Sequence, residues 1–260
     1  MNEKEILYSH ALDKKQLAFE NSMITNTNFL SMDERTELLP LEKALNSSVR
    51  TFYYGGYEEA ERTIAVFVPS FYENSDNIVN YFLENIDENP ISLIKVTKDR
   101  FSNLAHRDYL GSLMGLGLKR EVIGDIIVCE DGCYIFSLKS IAAFICQNLG
   151  KAGRGAVSCC ICDISELPEP EENIEEVFLS LASLRLDNVV SASFNLSRTV
   201  SSEAINKGIV YVNSVRVMKS DMIVKLNDKV VLRGKGKIIL SEIIGQNKKG
   251  RIHVNIKRYK

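Results

Sequence analysis

An acidic stretch with two prolines divides this chain and most constrains how it can fold. Between Asp163 and Glu176 the sequence carries seven Asp or Glu residues and no Lys or Arg, and it includes Pro168 and Pro170. Like charges repel one another within a compact element, and proline removes a backbone donor and restricts the residue before it. The stretch is therefore predicted to be a linker, and 260 residues suit about two domains.

The charges on the two sides of this linker differ in sign. Residues 179–260 contain 16 Lys or Arg and 5 Asp or Glu, a net charge of +11, whereas residues 1–178 carry −13. A basic segment attached to an acidic body is typical of chains that bind a polyanion such as nucleic acid. A basic C-terminal part that serves solubility alone remains the alternative.

The sequence shows neither an export signal nor a membrane span. No apolar run approaches the roughly 18–20 residues needed to cross a bilayer, and the charged start MNEKEILYSH lacks the apolar core of a secretory signal. Six cysteines in such a chain are expected to be reduced thiols. The predicted location is the cytoplasm.

Hydrophobic spacing predicts a helical N-terminal region and a mixed α+β centre. Helical spacing covers 4–22 and 32–46, and Ser31 with Glu34 forms a capping-box pattern. The centre predicts strands over 63–68, 91–96, 126–129, 134–136 and 156–164, with helices over 106–118 and 140–149, the latter capped by Ser140. The predicted domains are an N-terminal helical region (1–50), a central α/β sandwich (51–165), an acidic linker with the start of a helix (166–178) and a basic domain (179–260).

Several catalytic motifs in the central region are incomplete. His106-Arg107-Asp108 is followed by Leu113 where the kinase catalytic loop requires Asn, and no nucleotide-binding glycine motif is present. Cys159 and Cys162 are an odd number of positions apart, so within a strand they point to opposite faces. No metal site, no cofactor and no enzymatic activity are predicted.

The basic domain is predicted to contain short helices and tight strands. We expect a helix over 174–184, and another helix that begins after the N-cap Ser197 and ends at Gly208. A strand follows at 210–212, then turns at 213–214 and 227–228, with strands resuming at Val224 and at 230–232. Helix starts on such a module favour phosphate, because their unpaired N–H groups and dipole point outward.

This domain resembles the αL RNA-binding motif named after ribosomal protein S-four. The resemblance rests on Arg185-Leu186-Asp187, Ser197-Arg198, Ala204-Ile205, the run 208–213 and Asp228-x-Val230. It departs at Ser214 and Asn227, where the motif usually has glycine. The resemblance implies that RNA is bound by Arg185, Asp187, Ser197, Arg198, Ser201, Lys207, Asn213 and Arg216, with Arg233, Lys235 and Lys237 extending the basic surface. Asp187 either orients an arginine or forms a structural salt bridge.

Most of the chain also resembles the bacterial YlmH family. The residues that carry this likeness are the run 104–126, Gly55-Gly56-Tyr57 with Ala60 to Arg62, and the tail glycines with their cations at 233–237 and 249–251. The resemblance implies an RRM-like central domain and a role in quality control on stalled large ribosomal subunits that hold peptidyl-tRNA, beside an older link to cell division. A second RNA or partner patch is predicted at His106, Arg107, Lys119 and Arg120.

The leading hypothesis is therefore a non-catalytic, monomeric RNA-binding protein of the ribosome. Its implied partners are the large subunit, rRNA and tRNA, with a quality-control protein factor as a further candidate. Tyr134 and Phe136 are expected in a core or against a partner, since the RNA-reading signature of an RRM is absent. An RNA-modifying enzyme of the pseudouridine-synthase type and a division-associated scaffold are the alternatives.

Overall fold

The computed structural model describes residues 2–43, 48–72, 78–168, 174–248 and 250–259. The chain forms two compact units, Met1–Pro168 and Glu169–Lys260, called here the N-terminal and C-terminal units. Among the described residues, no helix has the length and apolar character needed to cross a membrane. The four-part division predicted from the sequence stays a prediction, although a strand at 49–54 runs across its first boundary.

The N-terminal unit begins with helices packed on a three-stranded sheet. Its elements are α1 (Glu3–Asn21), β1 (Thr25–Leu30), α2 (Met32–Glu37), α3 (Leu39–Lys43), β2 (Val49–Tyr54) and β3 (Thr63–Pro69), with antiparallel strand order β1-β3-β2. The first predicted helix and the Ser31–Glu34 capping box are confirmed. The helix predicted over 32–46 consists instead of two short helices, and residues 44–47 lie outside the described residues.

The rest of this unit is a ferredoxin-like arrangement of strands and helices. Helix α4 (Ile78–Glu84) precedes β4 (Ile91–Lys98), α5 (His106–Gly115), β5 (Ile123–Cys129), β6 (Gly132–Leu138), α6 (Lys139–Asn148), β7 (Lys151–Ala152) and β8 (Gly155–Cys162). The antiparallel order β5-β6-β4-β8-β7 confirms the predicted RRM-like sandwich. One detail was wrong: Ser140 makes no cap bond, since α6 begins at Lys139. The last strand, whose apolar run 156–164 is typical of a buried strand, is largely exposed.

The two faces of the central sheet are covered by different parts of the chain. Helices α5 and α6 pack on one face over Ile94, Val96 and Ile135. The second face carries Leu93, Tyr134 and Phe136 and packs against aromatic residues that come from outside the central sheet, namely Phe29, Tyr54 and Phe82. Tyr134 and Phe136 are 7% and 0% exposed, which confirms that they belong to a core. An RRM reads bases on this second face, so here those two aromatics cannot stack on RNA.

The Gly-Gly-Tyr segment fastens the first sheet to the central sheet. A Cβ at Gly56 would lie 2.5 Å from the Phe136 ring, so only glycine allows this approach. The next ring, Tyr57, stacks on Phe136 at 5.1 Å and donates its hydroxyl to Asp125 Oδ2 at 3.0 Å. Arg62 donates to the carbonyls of Phe29 and Ile123 at 3.1 Å each. Gly56, Tyr57 and Arg62, which contribute to the family resemblance, therefore hold the two sheets together.

The C-terminal unit is a six-stranded antiparallel sheet with two helices on one face. Its elements are β9 (Ile174–Leu181), α7 (Leu186–Ser193), α8 (Arg198–Asn206), β10 (Val210–Val212), β11 (Val215–Arg216), β12 (Lys229–Leu232), β13 (Gly236–Gln246) and β14 (Ile252–Tyr259), in the order β11-β10-β12-β13-β14-β9. Its core is formed by aliphatic side chains of both helices and of the sheet.

Two predictions for this unit were wrong. The helix expected over 174–184 is strand β9, paired with β14 from Ile174–Tyr259 to Leu181–Ile252. Val177, Leu179 and Leu181 alternate toward the core, and this period of two, together with the pairing to β14, outweighs the helical pattern. Val224 is buried but does not begin a strand, because only its neighbour Ile223 forms a single bridge, to Arg185. The linker predicted between the units falls partly on residues 169–173, outside the described residues.

Candidate nucleic-acid interface

The starts of α7 and α8 bring two of the predicted RNA-binding arginines to one carboxylate. Arg185 occupies the N-cap position of α7 and Arg198 is the first residue of α8. The Ser197 hydroxyl accepts from the Val200 amide at 3.2 Å, which confirms the predicted N-cap. Because the first turn of a helix has unpaired amides, this local geometry fixes where α8 begins and where Arg198 emerges.

Asp187 is the centre of this group, which we call the arginine cluster (Arg185, Asp187, Arg198). Arg185 donates from Nε and Nη2 to the two carboxylate oxygens, 3.1 Å each, and Arg198 Nε lies 3.7 Å from Oδ2. The Asp187 side chain is 6% exposed, whereas those of Arg185 and Arg198 are 38% and 61% exposed. The carboxylate therefore lies beneath two cations that face solvent.

The charge state of Asp187 follows from these contacts. Burial on its own would raise the pKa of the carboxyl, but the hydrogen bonds and charge of Arg185, the amide of Asn188 and the charge of Arg198 hold the pKa below its ordinary value. The two roles left open by the sequence are thus compatible, since a structural salt bridge also orients both guanidinium groups.

The far end of α8 carries a second pair of cations. Lys207 is exposed at the C-cap, with Nζ 3.8 Å from Glu203 Oε2. Gly208 follows with φ of 68°, and a Cβ there would lie 3.0 Å from Cδ of Arg216, so the Arg216 stem crosses close to the helix end. Ser201 was expected among the RNA-binding residues, but it is fully buried and its hydroxyl donates to the Ser197 carbonyl at 3.0 Å. That burial leaves Ser201 no surface for RNA.

Asn213 connects two turns of the αL module. Its Nδ2 donates to Asp228 Oδ1 at 2.8 Å, and its Oδ1 accepts from the Lys229 amide at 3.0 Å. Ser214 and Asn227 have φ of 65° and 66°, so they adopt the left-handed conformation for which the motif usually uses glycine. The departures from the motif leave both turns intact, and Asn213 serves the architecture of the module.

The cations after the motif lie on the β12–β13 hairpin and rest on tyrosines. The guanidinium of Arg233 lies 5.2 Å from the Tyr211 ring centre, and Lys237 Nζ lies 3.8 Å from that of Tyr259. Lys235 is exposed in the connecting loop, beside Gly234 with φ of 80°. Cation–π contacts hold such side chains in place while leaving their charge outward.

Not every cation of the basic tail is available to a ligand. Arg258 donates to the Ser193 carbonyl at 2.6 Å and lies 3.6 Å from Glu175, so it joins the end of α7 to β9. Arg251 donates to the Ser180 carbonyl at 2.8 Å. Nothing in a basic run of the sequence shows which cation has a backbone partner.

The patch predicted in the central domain falls on the two ends of α5. His106 and Arg107 are exposed at its start. Lys119 is 82% exposed beyond its end, but Arg120 is committed to structure, donating to the carbonyls of Ile123 at 2.6 Å and Gly124 at 2.9 Å. Burial and the nearby Arg62 lower the pKa of Arg120 to about 10. A ten-residue helix is about 15 Å long, so the four residues do not form one compact site.

The cysteines form no metal centre within the described ranges, where no group of three or more His, Cys, Asp or Glu could hold an ion. Cys159 packs with the helix-covered core and Cys162 with the opposite one, which confirms their expected opposite orientation. Burial raises the pKa of Cys159 to about 12. That thiol is therefore protonated at neutral pH.

Comparisons with known proteins find matches to both the N-terminal and the C-terminal unit. A family model described as "Putative RNA-binding domain in YlmH" matches residues 85–166, and one described as "S4 domain" matches residues 184–230. A solved structure titled "Cell division protein ylmH from Streptococcus pneumoniae" has a similar fold, with a TM-score of 0.52 at 18% identity over 65% of this chain and 96% of that chain.

A curated relative extends the match to nearly the whole chain. It is the "Ribosome-associated protein quality control protein P2" of Bacillus subtilis (strain 168), 32% identical over 252 residues, which cover 96% of this chain and 93% of the relative. Identity at this level over nearly the whole of both chains means that this chain belongs to the YlmH family.

Proposed function

We propose that this chain is a non-catalytic RNA-binding protein that acts on the ribosome, in quality control of stalled large subunits that hold peptidyl-tRNA. The arginine cluster is the observation that carries the proposal. A buried carboxylate with two exposed guanidinium groups above it is arranged to present charge to an anion rather than to neutralise it. The B. subtilis relative, whose name describes ribosome-associated quality control, supports the same role.

We expect this protein to recognise RNA through the phosphates and the shape of the RNA backbone. Exposed cations at both ends of α8 and on the β12–β13 hairpin are suited to the backbone of structured rRNA or tRNA. With about six to eight phosphate contacts, the logarithm of the binding constant falls with the logarithm of salt at roughly −0.7 to −0.9 per contact. Electrostatic binding of this kind also speeds the encounter with a large polyanion.

The N-terminal unit would then orient the molecule or contact a protein factor of the same process. The aromatic residues Tyr134 and Phe136 of its RRM-like sheet are buried, so an RNA contact of this unit must use other parts of its surface. We place the protein in the cytoplasm, as a monomer, on the ribosomal large subunit.

Sedimentation of cell lysate through a sucrose gradient tests this proposal. The protein should travel with large subunits at low salt, and more of it should do so when translation is stalled on peptidyl-tRNA. A protein that stays at the top of the gradient under both conditions would contradict the ribosomal function.

A further inference from the structure

A fully exposed phenylalanine lies on the loop between β4 and α5 of the N-terminal unit. Phe101 is 99% exposed, whereas the next most exposed large hydrophobic residue in the described part of the chain, Ile86, is 61% exposed. Single exposed apolar residues are common on protein surfaces. What distinguishes Phe101 is the way the chain holds it and the charges that surround it.

Hydrogen bonds fix the loop that carries this ring. Asp99 Oδ1 accepts from the amides of Phe101 and Ser102 at 3.0 Å each, and its Oδ2 accepts from the Ser102 hydroxyl at 2.5 Å. These bonds hold the pKa of the Asp99 carboxyl below its ordinary value, with the Ser102 hydroxyl as the main cause. Lys98 Nζ donates to the Ser102 carbonyl at 2.8 Å. The ring is therefore presented by an ordered turn, which lowers the entropic cost of binding.

The turn between β7 and β8 lies against the same loop and against the start of α5. A Cβ at Gly155 would come within 2.3 Å of Ser102 Oγ, and one at Gly153 would come within 3.2 Å of Asp108 Oδ1. Arg154, between these two glycines, is exposed. The juxtaposition places Arg154 beside both the Phe101 loop and the first turn of α5.

The surface around Phe101 is basic, although the N-terminal unit as a whole is acidic. Residues 98–107 and 151–155 contain five Lys or Arg and one Asp, in a part of the chain that is strongly acidic. Within the described ranges, the side chains of Arg100, Arg107 and Arg154 form no hydrogen bond or ion pair. Two nearby acids already have partners: Asp99 accepts from Ser102 of the loop, and Asp108 accepts from the Ala105 amide at 2.8 Å. The other nearby acids, Glu130 and Asp131, are exposed on the adjoining hairpin.

We propose that this surface, the basic-aromatic patch (Arg100, Phe101, Arg107, Arg154), binds an unpaired nucleotide of single-stranded RNA. Phe101 stacks on the base, and the arginines contact the phosphates on either side. Stacking needs an accessible ring, and a base offers two flat faces when it leaves a helix. The proposal rests on the RNA-binding function proposed above, and it gives the N-terminal unit an RNA contact that does not use the buried aromatics Tyr134 and Phe136.

Fluorescence anisotropy with two RNA probes tests the proposal on the full chain. One probe is a blunt, fluorescein-labelled RNA hairpin, and the other is the same hairpin with a single-stranded uridine tail. We expect Phe101→Ala to bind the tailed hairpin about fivefold or more weakly than wild type, to bind the blunt hairpin unchanged, and to keep the same salt dependence. Phe101→Tyr should restore binding, and Arg154→Ala should reduce the salt slope on the tailed probe by roughly 0.7.

Two matched variants control for general effects. Phe19→Ala removes a half-exposed phenylalanine from α1, and Lys14→Ala removes an exposed cation from the same helix; neither should affect the tail. Wild-type affinity of Phe101→Ala for the tailed hairpin, or an equal loss on both probes, would overturn the stacking site while leaving the proposed function standing. A wild-type chain that binds neither probe would overturn both.

Discussion

The central sheet of the N-terminal unit and the sheet of the C-terminal unit share a design but differ in the face that their helices leave free. Each is antiparallel and packs two helices on one face. On the second face of the central sheet, Phe29, Tyr54 and Phe82 cover Leu93, Tyr134 and Phe136. In the C-terminal sheet the alternation of side chains directs Phe178 and Lys237 away from the core, with Phe178 58% exposed. Topology alone therefore does not assign an RNA-reading surface, because what covers each face decides its use.

The largest effect on stability is expected from removing an aromatic ring that is buried on the second face of the central sheet. Phe136→Ala removes a fully buried ring that stacks on Tyr57, and it should lower the free energy of unfolding by about 3–5 kcal/mol. Urea unfolding of the full chain would measure this loss. If Phe136→Ala instead kept its stability and lost RNA affinity, Phe136 would be a base-stacking residue. The contrast drawn between the central sheet and the C-terminal sheet would then be wrong.

Asp187→Ala tests the arginine cluster by the sign of its effect. Removing a negative charge from a basic surface should strengthen RNA binding if only net charge matters. We expect weaker binding, by about threefold to tenfold, because Arg185 and Arg198 lose the carboxylate that orients them. Anisotropy with the blunt hairpin measures the change, and Glu242→Ala, which removes an exposed acid of the same unit from β13, is the comparison variant.

The low pKa of Asp187 gives the C-terminal unit an acid sensitivity of known sign. Because the folded-state pKa lies below the unfolded value, the stabilisation is complete above the unfolded pKa of about 4. It is lost as pH falls from there through the folded pKa. Wild type should therefore lose thermal stability on acidification more steeply than Asp187→Asn over this range. Parallel curves would show that the ion pair contributes nothing to this dependence.

A smaller contrast separates the two cations after α5. Arg120→Met should destabilise the N-terminal unit, because the carbonyls of Ile123 and Gly124 lose their donor. Lys119→Ala should change the melting temperature by less than about 2 °C, since its pairing with Glu121 at 4.0 Å is at the surface. Differential scanning fluorimetry compares the two, and equal shifts would contradict the structural role of Arg120.

The predictable parts of this fold are those governed by local rules. Ser197, Gly208 and the turn at 213–214 each depend on a few neighbouring residues, and the sequence predicts all three. Strand β9 was misread because its pairing partner β14 lies some 75 residues later in the chain, and a helical pattern near the linker offered a local alternative. The packing of Phe29 on the central sheet also depends on residues that are far apart in the sequence. Strand β1, with the sequence TNTNFL, is mostly polar and gives no local sign that Phe29 joins that core.

Site residues were predictable in identity more often than in role. The αL pattern marks Arg185, Asp187 and Arg198, but it does not show that one carboxylate serves both arginines. The resemblance implies an RNA contact for Ser201, but this residue is fully buried. The charge of Arg120 suggests a surface role, but its guanidinium is bonded to backbone carbonyls. Phe101 could have been noticed from the dipeptide Arg100-Phe101 in an Asp-x-x-Ser turn, but its full exposure appears only in three dimensions.

The most direct test of the account is the affinity of the full chain for purified large ribosomal subunits across a salt series. Arg198→Ala/Lys207→Ala should bind at least about tenfold more weakly than wild type, with a salt slope shallower by roughly 1.5. Lys4→Ala/Lys14→Ala, which removes the same charge from α1, should behave as wild type. Equal losses in the two double variants would contradict the claim that α8 presents the RNA-binding surface, because net charge alone would then explain the binding.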